Sequence, residues 1–300
     1  MPVSLNIRIA DINFSVQCRQ PVILDELPKI YQQFMGKAED QNIDAGIAVT
    51  LALNNLPDIR TMRKIFDTDD AWSMYLDKEE YVMLLNPPVP ERKIVWAARY
   101  GCDVRNISIH CSEMLIRRTE GTAHLINPFR YPMDQILVMY ALAQREGALI
   151  HAAGLSMDNR GYIFPGRSGA GKSTLSRLFL GRDTAEMLSD DRIIIRKIDG
   201  KFKAFGTPWA GDAGIAENKS FPLYSIFFIH HAEKNMIREI TPREAIEKLM
   251  PVTSIPWYDT EVMDKVLLFC EDLTSTIPAY NLYCKPGVEV VDAFEKFVSE

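Results

Sequence analysis

From Tyr162 to Thr174 the chain reads Tyr-Ile-Phe-Pro-Gly-Arg-Ser-Gly-Ala-Gly-Lys-Ser-Thr, and glycines, a lysine and hydroxyls in that spacing can hold a polyphosphate. A loop that wraps phosphates must turn its backbone N–H groups inward and end where a helix begins, because a helix N-terminus offers unpaired donors and partial positive charge. Gly166, Gly169 and Gly171 supply backbone freedom and a close approach that a Cβ would block. Lys172 stands where its ammonium reaches the β and γ phosphates, and the Ser173 hydroxyl can ligate the Mg²⁺ that bridges them. Thr174 adds a second hydroxyl at the helix start. The expectation is a nucleotide-binding loop.

Three further groups can join that chemistry. Asp190-Asp191 follows the apolar pair Met187-Leu188, and adjacent carboxylates at a strand edge face opposite sides. One of them can hold Mg²⁺, directly or through water, while its neighbour faces an acceptor hydroxyl as a general base. His151 sits within an apolar strand pattern, Leu149 to Gly154. The stretch Gly206-Thr-Pro-Trp-Ala-Gly-Asp212 is a Gly- and Pro-rich loop whose acid can complete a metal shell.

The elements that must position these groups follow from periodicity. Gly161 to Phe164 is a short apolar strand before the loop, and Leu175, Leu178 and Phe179 recur at helical spacing until Gly181. Met187 to Ile198 and Lys201 to Phe205 form a predicted hairpin around Asp199-Gly200, a strong two-residue turn signal. Leu223 to Ile229 reads as a buried strand, and Thr241-Pro242-Arg243-Glu244 opens a capped helix. Helices are predicted near 260–274 and 288–298, with a strand at Tyr280 to Cys284 between them.

The first half is rich in antiparallel β-pattern. Leu5, Ile7, Ile9 and then Ile12, Phe14, Val16 alternate as a bent strand or hairpin, and Ile23 to about Met35 reads as a helix. Gly46 to Leu53 is a strand candidate. Two hairpins follow, Trp72–Leu76 with Tyr81–Leu85 and Ile94–Arg99 with Val104–His110. Asn127-Pro-Phe-Arg-Tyr-Pro132 interrupts the pattern and starts a helix carrying Ile136, Leu137, Tyr140 and Ala141. The domain boundary is expected near residue 128, giving a β-rich α+β domain over 1–128 and a nucleotide-binding domain over 129–300.

Composition narrows the partners. The 300 residues are 47% apolar and 25% charged, as in an ordinary globular chain, and a net charge of −6 argues against a protein adapted to nucleic-acid backbones or anionic membranes, leaving room for a local basic groove. Met1-Pro-Val-Ser-Leu5 lacks the basic and apolar regions of a signal peptide, and no apolar run nears the roughly 20 residues needed to cross a bilayer. A cytoplasmic location is expected. Cys18, Cys102, Cys111, Cys270 and Cys284 lack any CxxC pair and read as reduced, mostly buried thiols.

His151, the Gly166–Ser173 loop and the Asp190-Asp191 pair, in this order and at about this separation, resemble the catalytic domain of HPr kinase/phosphorylase and the wider group of HPr-kinase-like proteins. The resemblance covers roughly residues 130 to 230. It implies an α/β (α+β) fold with a core like that of the phosphoenolpyruvate carboxykinases, and Mg²⁺-assisted transfer of the γ-phosphoryl group of ATP to a serine hydroxyl. By the resemblance, Gly166, Arg167, Ser168, Gly169, Ala170, Gly171, Lys172 and Ser173 bind the triphosphate beside Thr174. Ser173 holds the metal, with Asp190 and Asp212 as candidate co-ligands; Asp191 takes the proton from the attacking hydroxyl, and His151 orients or tunes the acid pair. A homo-oligomer is also implied.

The chain departs from the bifunctional enzyme at Thr174, where that family has Glu, and at Thr207 to Asp212, where it has a metal-binding Glu in a glycine-rich stretch. Both departures point away from phosphorylase activity. The Pro208-to-Asp212 version resembles members of the group that accompany peptide-modification or other small biosynthetic cassettes, so the acceptor class spans a small protein, a peptide or a hydroxyl metabolite. The alternatives are a nucleotide-dependent regulatory module without efficient transfer and a carboxykinase-type enzyme. The latter needs an upstream Lys and His pair of metal ligands, and the sequence offers only His151.

Overall fold

The alternation at the start of the chain resolves into a hairpin. In the computed structural model, which describes residues 3–36, 46–69, 71–85, 94–285 and 287–299, β1 (Val3–Ile9) pairs antiparallel with β2 (Ile12–Cys18). Ala10 and Asp11 between them both take positive φ, the turn twist that matches paired strands. The next predicted element differs. Instead of a helix over 23–35, the chain forms β3 (Ile23–Leu24) and a short 3-10 turn over Lys29–Phe34. Pro28 explains the difference: it lacks an N–H, biases Leu27 away from helical backbone, and itself sits extended at φ −50°, ψ 146°.

The chain divides into two compact units, Met1–Ala141 and Leu142–Glu300. In the first unit follow β4 (Ile47–Leu53), β5 (Arg63–Asp67), β6 (Trp72–Asp77), β7 (Glu80–Leu85), β8 (Trp96–Gly101), β9 (Asn106–Cys111), β10 (Ile116–Thr119) and β11 (Thr122–Leu125). One eight-stranded sheet runs β1-β2-β4-β9-β8-β7-β6-β5, with β2–β4 and β4–β9 parallel and its other pairs antiparallel. A small sheet runs β10-β11-β3. Helix α1 (Met133–Ala143) follows the Asn127–Pro132 break, which lies inside this first unit. The buried Tyr140 of α1 meets the rings of Tyr81 and Tyr100 at centroid distances of 5.0 and 5.6 Å.

In the second unit, β12 (Gly147–Met157), β13 (Arg160–Pro165), α2 (Lys172–Phe179), β14 (Glu186–Ser189), β15 (Arg192–Ile198), β16 (Lys201–Phe205), β17 (Ser220–His231), β18 (Met236–Ile240), α3 (Pro242–Leu249), α4 (Thr260–Thr276), β19 (Ala279–Cys284) and α5 (Glu289–Ser299) follow in order. The predicted β15–β16 hairpin forms, with Asp199 and Gly200 at positive φ. The Thr241–Glu244 capping box closes the start of α3. Met187 to Ile198 is not one strand: it breaks at Asp190-Asp191 into β14 and β15, both paired to β12. The strands run β13-β12-β15-β16-β17-β19-β18, and the further parallel pairing of β13 with β17 closes a ring through β12, β15, β16 and β17.

The core behind this sheet is aromatic. Phe294 of α5 is fully buried, with its ring 5.0–5.6 Å from those of Tyr162 and Phe164 on β13, Phe179 on α2 and Phe227 on β17. The strand before the glycine loop and the helix after it are therefore anchored in one cluster. The fold is mixed α/β, with several sheets and five α-helices among the described residues. None of those helices is long and apolar enough to cross a membrane. All five cysteines are free; four are buried and Cys102 is exposed.

Candidate active site

Three segments distant in sequence meet because of how β12 is paired. On one edge its Ala152 opposes Pro165, the last residue of β13, and Gly166 N donates to His151 O at 3.1 Å as the loop departs. On the other edge Ala152 N donates to the Asp191 carbonyl at 3.0 Å, at the break between β14 and β15. His151 thus has the start of the glycine loop on one side and the acid pair on the other. A third contribution comes from β17, parallel to β13, whose last residue His231 lies beside Gly171. The site stands at the carboxyl ends of parallel strands, where α/β sheets collect ligands.

A cavity of about 400 Å³ opens there. Ser168, Gly169, Gly171, Lys172, Ser173 and Thr174 of the loop line it, together with His151, Asp191 and Asp212. Gly166, Arg167, Ala170 and Asp190 do not line it. Gly169 and Gly171 take φ of 82° and 95°, a region that L side chains avoid, and Gly171 caps the N-terminus of α2. The buried Lys172 donates from Nζ to the carbonyls of Gly166 at 2.9 Å and Arg167 at 3.2 Å, which folds the loop around its own ammonium. Burial lowers the Lys172 ammonium below its ordinary value, and the negative charge of Asp191 opposes that shift.

Asp191 is the ionised centre of the cavity. His151 Nε2 lies 2.9 Å from Asp191 Oδ1, and because a carboxylate only accepts, that nitrogen carries the proton and donates. Arg192 Nε lies 3.2 Å from Oδ2. Burial pushes the Asp191 carboxyl up, but the His151 hydrogen bond and the charges of His151, Arg192 and Lys172 outweigh it, and the net shift is downward. The group is a carboxylate at neutral pH, with lone pairs left to accept from a further donor.

Asp190 is set differently. It is fully buried, and its oxygens accept from the backbone N–H groups of Gly211 at 2.9 Å, Ala213 at 2.7 Å and Ile215 at 3.2 Å. A metal on Asp190 would have to displace these charge-assisted bonds. Instead the carboxylate gathers the loop that carries Asp212 to the cavity. Gly211 is required by this close approach, since a Cβ there would lie 2.9 Å from Asp190 Oδ2.

The donor set suits Mg²⁺. Ser173 and Asp212 offer hard oxygens at the cavity wall, and the described residues contain no group of three His, Cys, Asp or Glu that would make an all-protein cage. Mg²⁺ typically binds through one or two protein oxygens plus phosphate and water, and such a wall matches that habit.

Two lining residues were not singled out from the sequence. Arg177, one turn into α2, donates from Nη2 to Asp212 O at 3.1 Å and adds a cation to the wall. Its helical offset from Ser173 was the available signal. His231 reaches the cavity only through the parallel β13–β17 pairing, which no local pattern announces.

No protein-family model matches the chain, and no curated protein matches it. Among solved structures, the "Structure of the Hpr(Ser) kinase/phosphatase from Coxiella burnetii" is similar over 51% of this chain and 99% of its own length, at 14% identity and a TM-score of 0.30. The likeness is too slight to assign a family.

Proposed function

We propose that the second unit is an ATP-dependent kinase that transfers the γ-phosphoryl group to a hydroxyl, that of serine above all, on a small protein, peptide or metabolite. The observation that carries the reading is the meeting of Lys172 of the glycine loop with the His151–Asp191 pair on one cavity. An ionised carboxylate held across from the phosphate loop supports transfer to an acceptor hydroxyl. The same reading carries the expectation of a phosphoenolpyruvate-carboxykinase-like core. The antiparallel β12–β13 pair and the closed ring of pairings support that core over a doubly wound sheet.

In this reading the backbone N–H groups from Ser168 to Ser173 and the N-terminus of α2 bind the triphosphate. Lys172 leaves the carbonyls of Gly166 and Arg167 for the β and γ phosphates, exchanging neutral acceptors for anionic ones. Ser173 and Asp212 would hold Mg²⁺, which would supply neutralisation of the phosphate charge during transfer. Asp191 accepts the hydrogen bond of the acceptor hydroxyl and aims its oxygen at the γ-phosphorus. As the new O–P bond forms, the bond from phosphorus to the β–γ bridging oxygen breaks, ADP leaves with that electron pair, and the hydroxyl proton passes to Asp191. A depressed carboxyl is a weak base, which suffices because a loose phosphoryl transition state asks for orientation before proton removal. His151 and Arg192 keep Asp191 ionised and fix its direction.

The test is transfer of label from γ-labelled ATP with Mg²⁺ to serine-containing peptides, HPr and free serine. Asp191→Asn should lose transfer by about 10²–10⁴-fold while retaining nucleotide affinity. Nucleotide binding with no transfer to any acceptor would overturn the kinase reading in favour of a regulatory module.

A further inference from the structure

Lys172 and Arg177 are the Lys and Arg side chains that line the cavity of the second unit, and the chemistry above uses Lys172 alone. Both belong to α2, but they approach from different sides. Lys172 is buried and turns back onto the carbonyls of Gly166 and Arg167, at the start of the glycine loop. Arg177 is exposed and stands four residues beyond Ser173, on the same face of the helix. Side chains on a helix lean toward its N-terminus, so the guanidinium comes back along that face toward Ser173 and Thr174. It ends beside the segment that carries Asp212, where Nη2 donates to the Asp212 carbonyl at 3.1 Å.

Three features of Arg177 point to an anion. A guanidinium carries five N–H donors, yet among the described residues Arg177 bonds through its side chain to that one neutral carbonyl, and no carboxylate pairs with it. Its remaining donors are left on a cavity wall. The second feature is a fixed anchor. Gly211 N and Ala213 N, on either side of Asp212, both donate to the buried Asp190 carboxylate, at 2.9 and 2.7 Å, which holds the Asp212 carbonyl in place. A long side chain loses rotamer freedom when it binds a ligand, and one already tethered at Nη2 loses less. The third is charge. A triphosphate stays anionic after Mg²⁺ binds, and the carboxylates of the wall, Asp191 and Asp212, add to that charge, so Lys172 alone leaves it poorly matched.

We propose that Arg177 is a second phosphate-binding cation. With Nη2 kept on the Asp212 carbonyl, its remaining donors bind the phosphate chain from the Asp212 side while Lys172 binds it from the side of the glycine loop. The fork of a guanidinium suits such a double task, because its donors point in fixed and different directions. The same side chain then links bound phosphate to the segment that carries Asp212. This inference rests on the reading of the cavity as a polyphosphate site, and it does not require that the phosphoryl group be transferred.

The test is calorimetric titration of the full chain with a non-hydrolysable ATP analogue and, separately, with inorganic tripolyphosphate, each with Mg²⁺ and in EDTA. Arg177 is exposed and alanine suits a helix, so Arg177→Ala should fold as the wild type does. It should weaken both ligands by about tenfold or more, with and without Mg²⁺, as loss of charge-assisted hydrogen bonds to phosphate requires. Arg177→Lys, which keeps the charge without the fork, should fall between Arg177→Ala and the wild type. Arg243→Ala removes another exposed cation, on α3, and should change neither affinity. Unchanged affinity in Arg177→Ala, or an equal loss in Arg243→Ala, would overturn the proposal. A loss seen only with Mg²⁺ would overturn it too, because Arg177 would then act through Asp212 and the metal alone. So would a loss for the analogue without one for tripolyphosphate, which would move the contact to the nucleoside. If the affinities behave as expected while the wild type passes phosphate to no acceptor, the kinase reading falls and the role of Arg177 stands.

Discussion

Replacing Asp190 by Asn separates two roles that one acidic residue beside a phosphate loop can play. The Asn oxygen can still accept from Gly211 and Ile215, but without the negative charge, and its amide nitrogen replaces Oδ2 opposite Ala213 N, donor against donor. One charge-assisted bond is lost, roughly 1.5–3 kcal/mol, and buried donors are left without an acceptor, roughly another 1–3 kcal/mol. The 211–215 loop should therefore open more easily by about 2.5–6 kcal/mol, which accelerates amide exchange there by roughly two to four orders of magnitude. Hydrogen–deuterium exchange read at Gly211, Ala213 and Ile215 measures this directly. If those amides exchange at the wild-type rate while the Mg²⁺ requirement rises, Asp190 is a metal ligand and the loop-holding argument is wrong.

Gly171→Ala forces an L side chain to φ 95° and sets its Cβ 3.4 Å from His231 Cε1, so calorimetry with a non-hydrolysable ATP analogue should show affinity lost along with about 1–2 kcal/mol of stability. Phe294→Ala empties the cluster that anchors β13 and α2, and should destabilise the second unit by about 3–5 kcal/mol in urea and weaken nucleotide binding. Phe14→Ala, in the core of the first unit, should leave nucleotide affinity intact; a loss there equal to that in Phe294→Ala would contradict the anchoring role. The Asp191 carboxyl lies below its ordinary value of 3.8, so its contribution to stability is present above that pH and lost as pH falls through the lower folded value. Urea midpoints of the second unit followed downward from about pH 5 should drop, and His151→Ala should flatten the drop; an identical slope in the variant would show that the His151–Asp191 bond contributes little.

Local chemistry was readable in the sequence wherever a short segment fixes its own geometry. The Asp199-Gly200 turn, the Thr241–Glu244 cap and the strand-loop-helix around Lys172 each form as their residues dictate. What escaped was set by pairing between distant segments. A continuous strand through Asp190 satisfied the apolar periodicity, but burying that carboxylate against three amides of a loop some twenty residues on demanded a break. His231 enters the cavity because β17 runs parallel to β13, and its neighbours in sequence give no hint of that. The helix expected over 23–35 failed on a local rule that was visible, since Pro28 interrupts an otherwise periodic run.

Transfer of the γ-phosphoryl group tests the account most directly. The wild-type chain, Lys172→Ala and Asp191→Asn are each incubated with γ-labelled ATP, Mg²⁺ and the acceptor panel, with ATP-analogue affinity measured in parallel. The account predicts labelling of a hydroxyl acceptor by the wild type alone, with nucleotide affinity lost in Lys172→Ala and kept in Asp191→Asn. Labelling by Asp191→Asn at the wild-type rate would contradict it, because the His151–Asp191 pair would then have no part in the chemistry that its geometry was used to explain.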